Sequence, residues 1–364
     1  LFVLGIESSC DETAAAVAAG SRRILSSVIS SQIEVHQQFG GVVPELASRH
    51  HLVNVIAVVQ QAMSRAQRIC PRLNGFSALD GVAVTAGPGL VGSLMVGLQV
   101  AKGIALAARI PLIGVNHLEA HLESVYAVTD FDGKVKAEKG PSAKPNETES
   151  TVPVPHVALL VSGGHTLLIY VRERGNYRVL GSTRDDAAGE AFDKVAKMLH
   201  LGYPGGVEVE KLARGADPTK YAFPRALRQK KELDFSFSGL KTAVRNHLIA
   251  GGQPESKKGL ADLCASVQEA IVDPLVRKAA AALEAHDCKT LVLAGGVAAN
   301  GRLRKKMKEM AHKKGYGLIV PDKMFCTDNG AMVAINGARK LAQGEVADLD
   351  LDAAARWLPS PRAT

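Results

Sequence analysis

Two histidines four residues apart, in Asn116-His117-Leu118-Glu119-Ala120-His121, are the residues of this chain best spaced for chemistry. The stretch reads as a helix start. Four residues is close to one helical turn, so both imidazoles share a face, with Cβ atoms about 5–6 Å apart. Neutral imidazoles at that spacing can share one metal ion. The plain alternative is two unrelated polar residues at a helix start. A metal needs a third ligand from elsewhere. Asp328 is the candidate, on the polar turn Cys326-Thr327-Asp328-Asn329-Gly330. Cys326 competes as a soft ligand. Glu119 lies two residues from each histidine and points elsewhere on the helix. The zinc-protease pattern needs Glu directly after the first His, and Leu118 stands there instead.

A second kind of chemistry is suggested by glycine turns at Gly87, Gly163, Gly205 and Gly295, each following or joining strands. One such turn means little, because tight turns need glycine anyway. Four suggest backbone that approaches a phosphorylated ligand, as amides at a helix start can hold an anion. No Gly-x-x-x-x-Gly-Lys-Ser/Thr is present, which excludes a P-loop nucleotidase. The stretch from Thr85 resembles a dinucleotide fingerprint only loosely, with no acid at the required distance.

The elements that must position these residues alternate between strand and helix. Residues 1–6, 14–18 and 24–29 read as strands around the acidic turn Glu7-Ser8-Ser9-Cys10-Asp11-Glu12-Thr13. Residues 47–68 have helical periodicity, 81–84 a buried strand, 94–108 a helix and 111–115 another strand. That last strand delivers His117 and His121 at its carboxyl end, where open α/β sheets usually bind ligands. From residue 157 the opening pattern returns: strand, tight polar turn, strand. The echo suggests two related α/β halves. Residues 191–199, 239–249 and 260–285 read as helices, 291–294 and 318–321 as strands, and 202–206 as a turn. Residues 302–314 form a basic helix, either a solvated face or an RNA contact. The last helix opens near Thr327 or Asp328, each able to cap it.

Composition sets the outer bounds. With 364 residues, 46% hydrophobic and 22% charged, the chain reads as globular and too long for one typical core. The expected halves are residues 1–130 plus 325–364, and 156–324. Between them lies a flexible surface insertion, 131–155, rich in Lys, Glu, Ser, Thr and Pro. No stretch reads as able to span a bilayer, and residues 1–6 read as a strand rather than a signal peptide. Five scattered cysteines without a Cys-x-x-Cys argue for a reducing compartment and against a cysteine-built zinc site. A net charge of +8 and a pI near 9.2 fit an anionic partner, nucleic acid included, or a generic basic protein.

The acidic turn, Gly87-Pro88-Gly89-Leu90, Asn116 to His121, Val161 to Thr166, Phe192-Asp193-Lys194-Val195, Ser236-Phe237-Ser238-Gly239-Leu240-Lys241, Gly295 to Asn300 and Thr327-Asp328-Asn329-Gly330 occur in one order. Together they resemble the TsaD-like tRNA threonylcarbamoyltransferases, over nearly the whole chain. The resemblance implies two actin-like (ribonuclease H-like) halves around a nucleotide and metal cleft. It implies transfer of a threonylcarbamoyl group from threonylcarbamoyl-AMP to the exocyclic amine of the anticodon-adjacent adenosine, in tRNAs reading codons that start with A. By motif, His117, His121 and Asp328 would hold one divalent metal, iron or zinc. Leu160, Val161, Ser162, Gly163 and Gly164 would approach the adenylate phosphate and carbamoyl group, and Asp193, Gly206 and Asn300 the adenosine end. Asp11 or Glu12 would orient the amine or a water, a catalytic role. His165 is a hydrogen-bond donor near the carbamoyl or a structural turn residue. The end of the chain, with Arg356-Trp357, resembles the mitochondrial branch, implying a homodimer in the matrix; a bacterial or plastid member is the alternative. The competing function is an ATP-dependent kinase or ATPase of the same fold.

Overall fold

The computed structural model describes residues 1–129, 152–229 and 231–359. The expected insertion 131–155 lies outside them up to residue 151, as do residues 130 and 360–364 at the expected domain limits. The chain runs β1 (Phe2–Glu7), β2 (Glu12–Ala19), β3 (Arg23–Ser31), α1 (Ile33–Gln37), α2 (Pro44–Ile69), β4 (Gly81–Gly87), α3 (Val91–Ala108), β5 (Leu112–Asn116), α4 (His117–Glu123) and β6 (Val128–Thr129). It continues with β7 (His156–Val161), β8 (Thr166–Glu173), β9 (Asn176–Ser182), α5 (Ala188–Met198), α6 (Gly205–Ala213), α7 (Ser238–Gly251), α8 (Lys257–Ala285), β10 (Thr290–Ala294), α9 (Gly301–Lys314), β11 (Gly317–Ile319) and α10 (Gly330–Ala342).

Two compact units divide the described residues. One joins Leu1–Gln32, Val43–Pro153 and Asp328–Leu358; the other holds Ile33–Val42 and Val154–Thr327. The segment Ile33–Val42 thus groups with the second unit, although it interrupts the first in sequence. In the first unit the strand order is β5-β4-β1-β2-β3-β6. In the second it is β11-β10-β7-β8-β9. The five-strand pattern is the same in both: a meander of three antiparallel strands, then two parallel strands added beside the first. The α/β class with two like halves is therefore present in the backbone topology.

The inner strands β1, β2 and β4 of the first sheet are covered on both faces, which is why they are apolar at most positions. Leu4 and Ile6 pack with Val55, Val59 and Leu98 from α2 and α3. Val3 and Ala83 face the other way, onto Met332, Val333 and Ala338 of α10. Helix α10 lies unusually close to β1. A Cβ at Gly5 would stand 2.3 Å from the Ala334 nitrogen, so only glycine admits this approach. In the second unit Val157, Leu159, Leu291 and Leu293 share one core with Phe192, Leu275 and Leu303.

Helix α3 corrects one expectation. By length and composition it is apolar enough to cross a membrane, contrary to the sequence reading. Its Leu94, Leu98, Ala101 and Ala105 are buried against the first unit's core, which accounts for the apolar residues on that face. Residues 205 and 206, expected in a turn, begin α6. The cap of α10 is Asn329, whose side chain accepts the Met332 N–H at 2.9 Å, and not Thr327 or Asp328.

Candidate metal centre

Strand β5 ends at Asn116, and Asn116 starts α4. Its side-chain oxygen accepts the Leu118 and Glu119 N–H groups at 2.9 and 3.2 Å, satisfying donors that a helix start leaves orphaned. The helix therefore begins at His117 with no slack, and both histidines are buried. Asp328 immediately precedes the Asn329 cap of α10. A buried ion pair, Arg339 with Glu123 at 3.5 Å, ties α10 to α4.

These supports bring together residues from distant parts of the sequence. Nε2 of His121 lies 3.0 Å from Asp328 Oδ1, and Nε2 of His117 lies 3.6 Å from the same oxygen. One ligand atom from each of the three falls within 4.8 Å of the others. Ligands about 2.0–2.2 Å from a shared ion stand roughly 3–3.6 Å apart in a tetrahedron, so this donor set fits a divalent metal. Two nitrogens and one carboxylate are a donor set that would suit zinc or iron. Cys326 does not join the group among the described residues. Its buried thiol faces Arg304 and the carbonyls of Pro321 and Asp322.

The electrostatics follow from burial and charge. Burial pulls the His117 imidazole down, but Asp328 and Glu7 outweigh it and raise its pKa to about 9. Glu7 meets Nδ1 of His117 at 3.0 Å, and Ser9 Oγ meets it at 3.1 Å. A divalent ion bound here would compete with that proton. On the acidic turn, Glu12 begins β2 and accepts the Ser31 hydroxyl at 2.8 Å. Its other oxygen is buried without a partner. Burial, with the charges of Asp11 and Asp328 added, pushes it up to about 8, so it holds its proton at neutral pH. Asp11 is half-buried, and its carbonyl accepts the Gln32 N–H at 3.1 Å.

The remaining site candidates belong to the second unit. Leu160 and Val161 are fully buried strand residues, so their side chains pack the core and only the following turn is open. Gly163 and Gly164 are exposed there, and Ser162 and His165 close the turn through Ser162 N–H to the His165 carbonyl at 2.8 Å. The Ser162 hydroxyl accepts the His165 N–H, so that residue's backbone serves the turn. Asp193 accepts the Gly205 N–H at 2.8 Å, which joins α5 to the start of α6 beside Gly206. Asn300 is buried with both ends of its amide engaged: it caps α9 through Leu303 and donates to Gln268. Glu210, which the sequence did not single out, accepts the Gly301 N–H at 3.1 Å. It lines a cleft of about 390 Å³ with Gln268, Arg302 and Lys305. The only signal for it was its position four residues after Gly206.

The basic helix α9 is less available than its composition suggests. Arg302 grips Glu269 through two nitrogens, Lys306 pairs with Glu269 and Asp273, and Arg304 donates to the Ala298 carbonyl. Lys305 and Lys308 remain exposed.

Comparison with known proteins gives these residues a context. A family model described as tRNA N6-adenosine threonylcarbamoyltransferase matches residues 23–134 and 141–335. A protein of that name from Anaeromyxobacter sp. (strain Fw109-5) is 49% identical over 356 residues, covering 98% of this chain and 99% of the relative. One from Anaeromyxobacter dehalogenans (strain 2CP-C) is 51% identical, covering 98% of each. Among solved structures, HypF of T. kodakarensis superposes with a TM-score of 0.56 at 14% identity, over 94% of this chain and 48% of that one. Component A of the Acidaminococcus fermentans (R)-2-hydroxyglutaryl-CoA dehydratase gives 0.52 at 14%, over 94% and 99%. At such identity these two speak for the fold alone, the actin-like arrangement that both strand orders display. Half the residues shared with the relatives over almost their full length is decisive: the chain belongs to the tRNA N6-adenosine threonylcarbamoyltransferase family, and it is a transferase.

Proposed function

We propose that this enzyme moves the threonylcarbamoyl group of threonylcarbamoyl-AMP onto the exocyclic amine of the anticodon-adjacent adenosine, in tRNAs reading codons that start with A. The observation that carries the reading is the convergence of His117, His121 and Asp328, a donor set that suits zinc or iron rather than the oxygen-ligated magnesium of phosphoryl transfer. In the reaction a nitrogen–carbon bond forms at the carbamoyl carbonyl, the carbon–oxygen bond to phosphate breaks, AMP leaves with the electron pair, and the amine loses a proton. A bound divalent ion, iron or zinc, would supply a Lewis acid for the carbonyl oxygen. His117, His121 and Asp328 would hold that ion. The open Ser162-Gly163-Gly164 turn would lay backbone N–H groups against the phosphate and carbamoyl group, with Leu160 and Val161 as its buried footing. Asp193, Gly206 and Asn300 would bind the adenosine end. Glu12, protonated at neutral pH, would offer a proton donor, and Asp11 an acceptor, for the amine or an intervening water.

The finer expectations stand as part of the same proposal. A homodimer is supported by a largely apolar groove in the first unit, lined by Ile56, Val59, Phe76, Val100 and Ile104, with Ile56 exposed. Residence in the mitochondrial matrix is supported by the basic pI and the resemblance of the C-terminal segment; sedimentation and localisation of a tagged chain test these two points. The central experiment supplies purified protein with tRNA and fresh threonylcarbamoyl-AMP, then seeks the modified nucleoside by mass spectrometry. ATP-dependent phosphotransfer without a tRNA product would overturn the reading.

A further inference from the structure

Glu7 closes β1 and has no exposed surface. A buried carboxylate costs several kcal/mol unless donors meet its oxygens. Here they do. Oε1 accepts the Ser9 N–H at 2.6 Å, and Oε2 accepts the Thr85 hydroxyl at 2.7 Å. Nδ1 of His117 then completes the set at 3.0 Å from Oε2. Glu7 is 110 residues from His117 in sequence, so only the β1–β4–β5 pairing brings them together.

We propose that Glu7 is a positioning residue for the metal centre, acting through His117; this rests on the metal reading above. A neutral imidazole carries one N–H. An ionised carboxylate can only accept, so the proton must sit on Nδ1, and the Nε2 lone pair is left facing Asp328 and His121. Ser9 Oγ shares the same Nδ1 at 3.1 Å and braces the ring from a second direction. His121 has no such support: its Nδ1 is buried without a hydrogen-bond partner among the described residues. The two ligands are thus held unequally, with tautomer and ring angle set in advance for His117. Partners of this kind typically account for 10–100-fold in metal affinity.

The test measures zinc affinity of the full chain by competition with a chromophoric chelator, after stripping and reloading. Glu7→Gln keeps the shape and one acceptor; Glu7→Ala removes both. Zinc binding should weaken roughly 10–100-fold, more for Ala than for Gln. The visible spectrum of the cobalt-loaded protein should also shift, a signature that a purely structural role would not move. Glu45→Gln, on the exposed start of α2, should change neither readout. If neither Glu7 variant folds, Thr85→Val decides, since it loosens Oε2 without touching the histidine; it should weaken zinc severalfold. Folded variants with wild-type affinity and an unshifted cobalt spectrum would overturn the inference. A wild-type protein that binds neither ion would instead sink the metal reading, and this inference with it.

Discussion

Gly5→Ala is the smallest change that should damage both the fold and the metal centre. The added Cβ would stand 2.3 Å from the Ala334 nitrogen and 2.5 Å from the Gly330 carbonyl oxygen. Both are backbone atoms of α10, so no side chain can swing aside. Relief requires α10 to retreat from 2.3 Å to the 3.4 Å where contact becomes ordinary, a movement of about 1 Å. Overpacking of this kind costs about 1–3 kcal/mol. Asp328 stands two residues before Gly330, so the retreat carries a proposed metal ligand with it. Metal geometry tolerates only about ±0.2 Å in ligand distance. Zinc affinity should therefore fall at least tenfold, alongside the loss of stability. Urea denaturation and chelator competition read the two effects separately. Gly103→Ala is the internal control. It lies inside α3 with nothing within 4 Å of the added Cβ, so it should stabilise by up to about 1 kcal/mol and leave metal binding alone. A Gly5→Ala protein with wild-type stability and zinc affinity would refute the close-approach argument.

Three further outcomes are expected. His117→Ala should abolish stoichiometric metal by elemental analysis and the transfer activity, while circular dichroism stays native, because the apolar strands supply the core. Glu12 sets a pH dependence: its folded pKa is about 8 against 4.5 in the unfolded chain, so the folded state keeps a proton the unfolded state releases. Wild-type stability should thus fall as pH rises from 4.5 to 8, by up to about 1.4 kcal/mol per unit, and Glu12→Gln should flatten that slope in urea titrations at several pH values. Ending the chain at Asp352 removes two ties: the Ala354 N–H to the Ala86 carbonyl at 2.7 Å, and the Asn116 amide to the Trp357 carbonyl at 2.9 Å. The second holds the residue that caps α4, so zinc affinity should drop severalfold; an unchanged isotherm would show that the segment is only an appendage.

Much of this molecule was legible along the chain because its rules are local. The His117/His121 pair could be read from spacing, since a helix repeats its faces every turn whatever surrounds it. The alternation of strands and helices could be read from buried apolar runs, and the recurrence of strand, turn, strand at residue 157 pointed to a repeated half. The resemblance then named the family that the relatives show. Side-chain partners were a different matter, because they depend on where distant strands meet. Arg302 and Lys306 read as a solvated face or an RNA contact, and the structure sets Glu269 and Asp273 of α8 against them instead. No stretch read as able to span a bilayer, yet helix α3 is long and apolar enough to do so, and the core it covers accounts for its buried face. Asn329 rather than its neighbours caps α10, a choice made by backbone angle at a single residue. Glu7 read only as part of an acidic turn, because nothing local tells a carboxylate that His117 will lie beside it. Residue type and spacing settle which groups can do chemistry; only the folded strands decide which of them meet, and how much water is left between them.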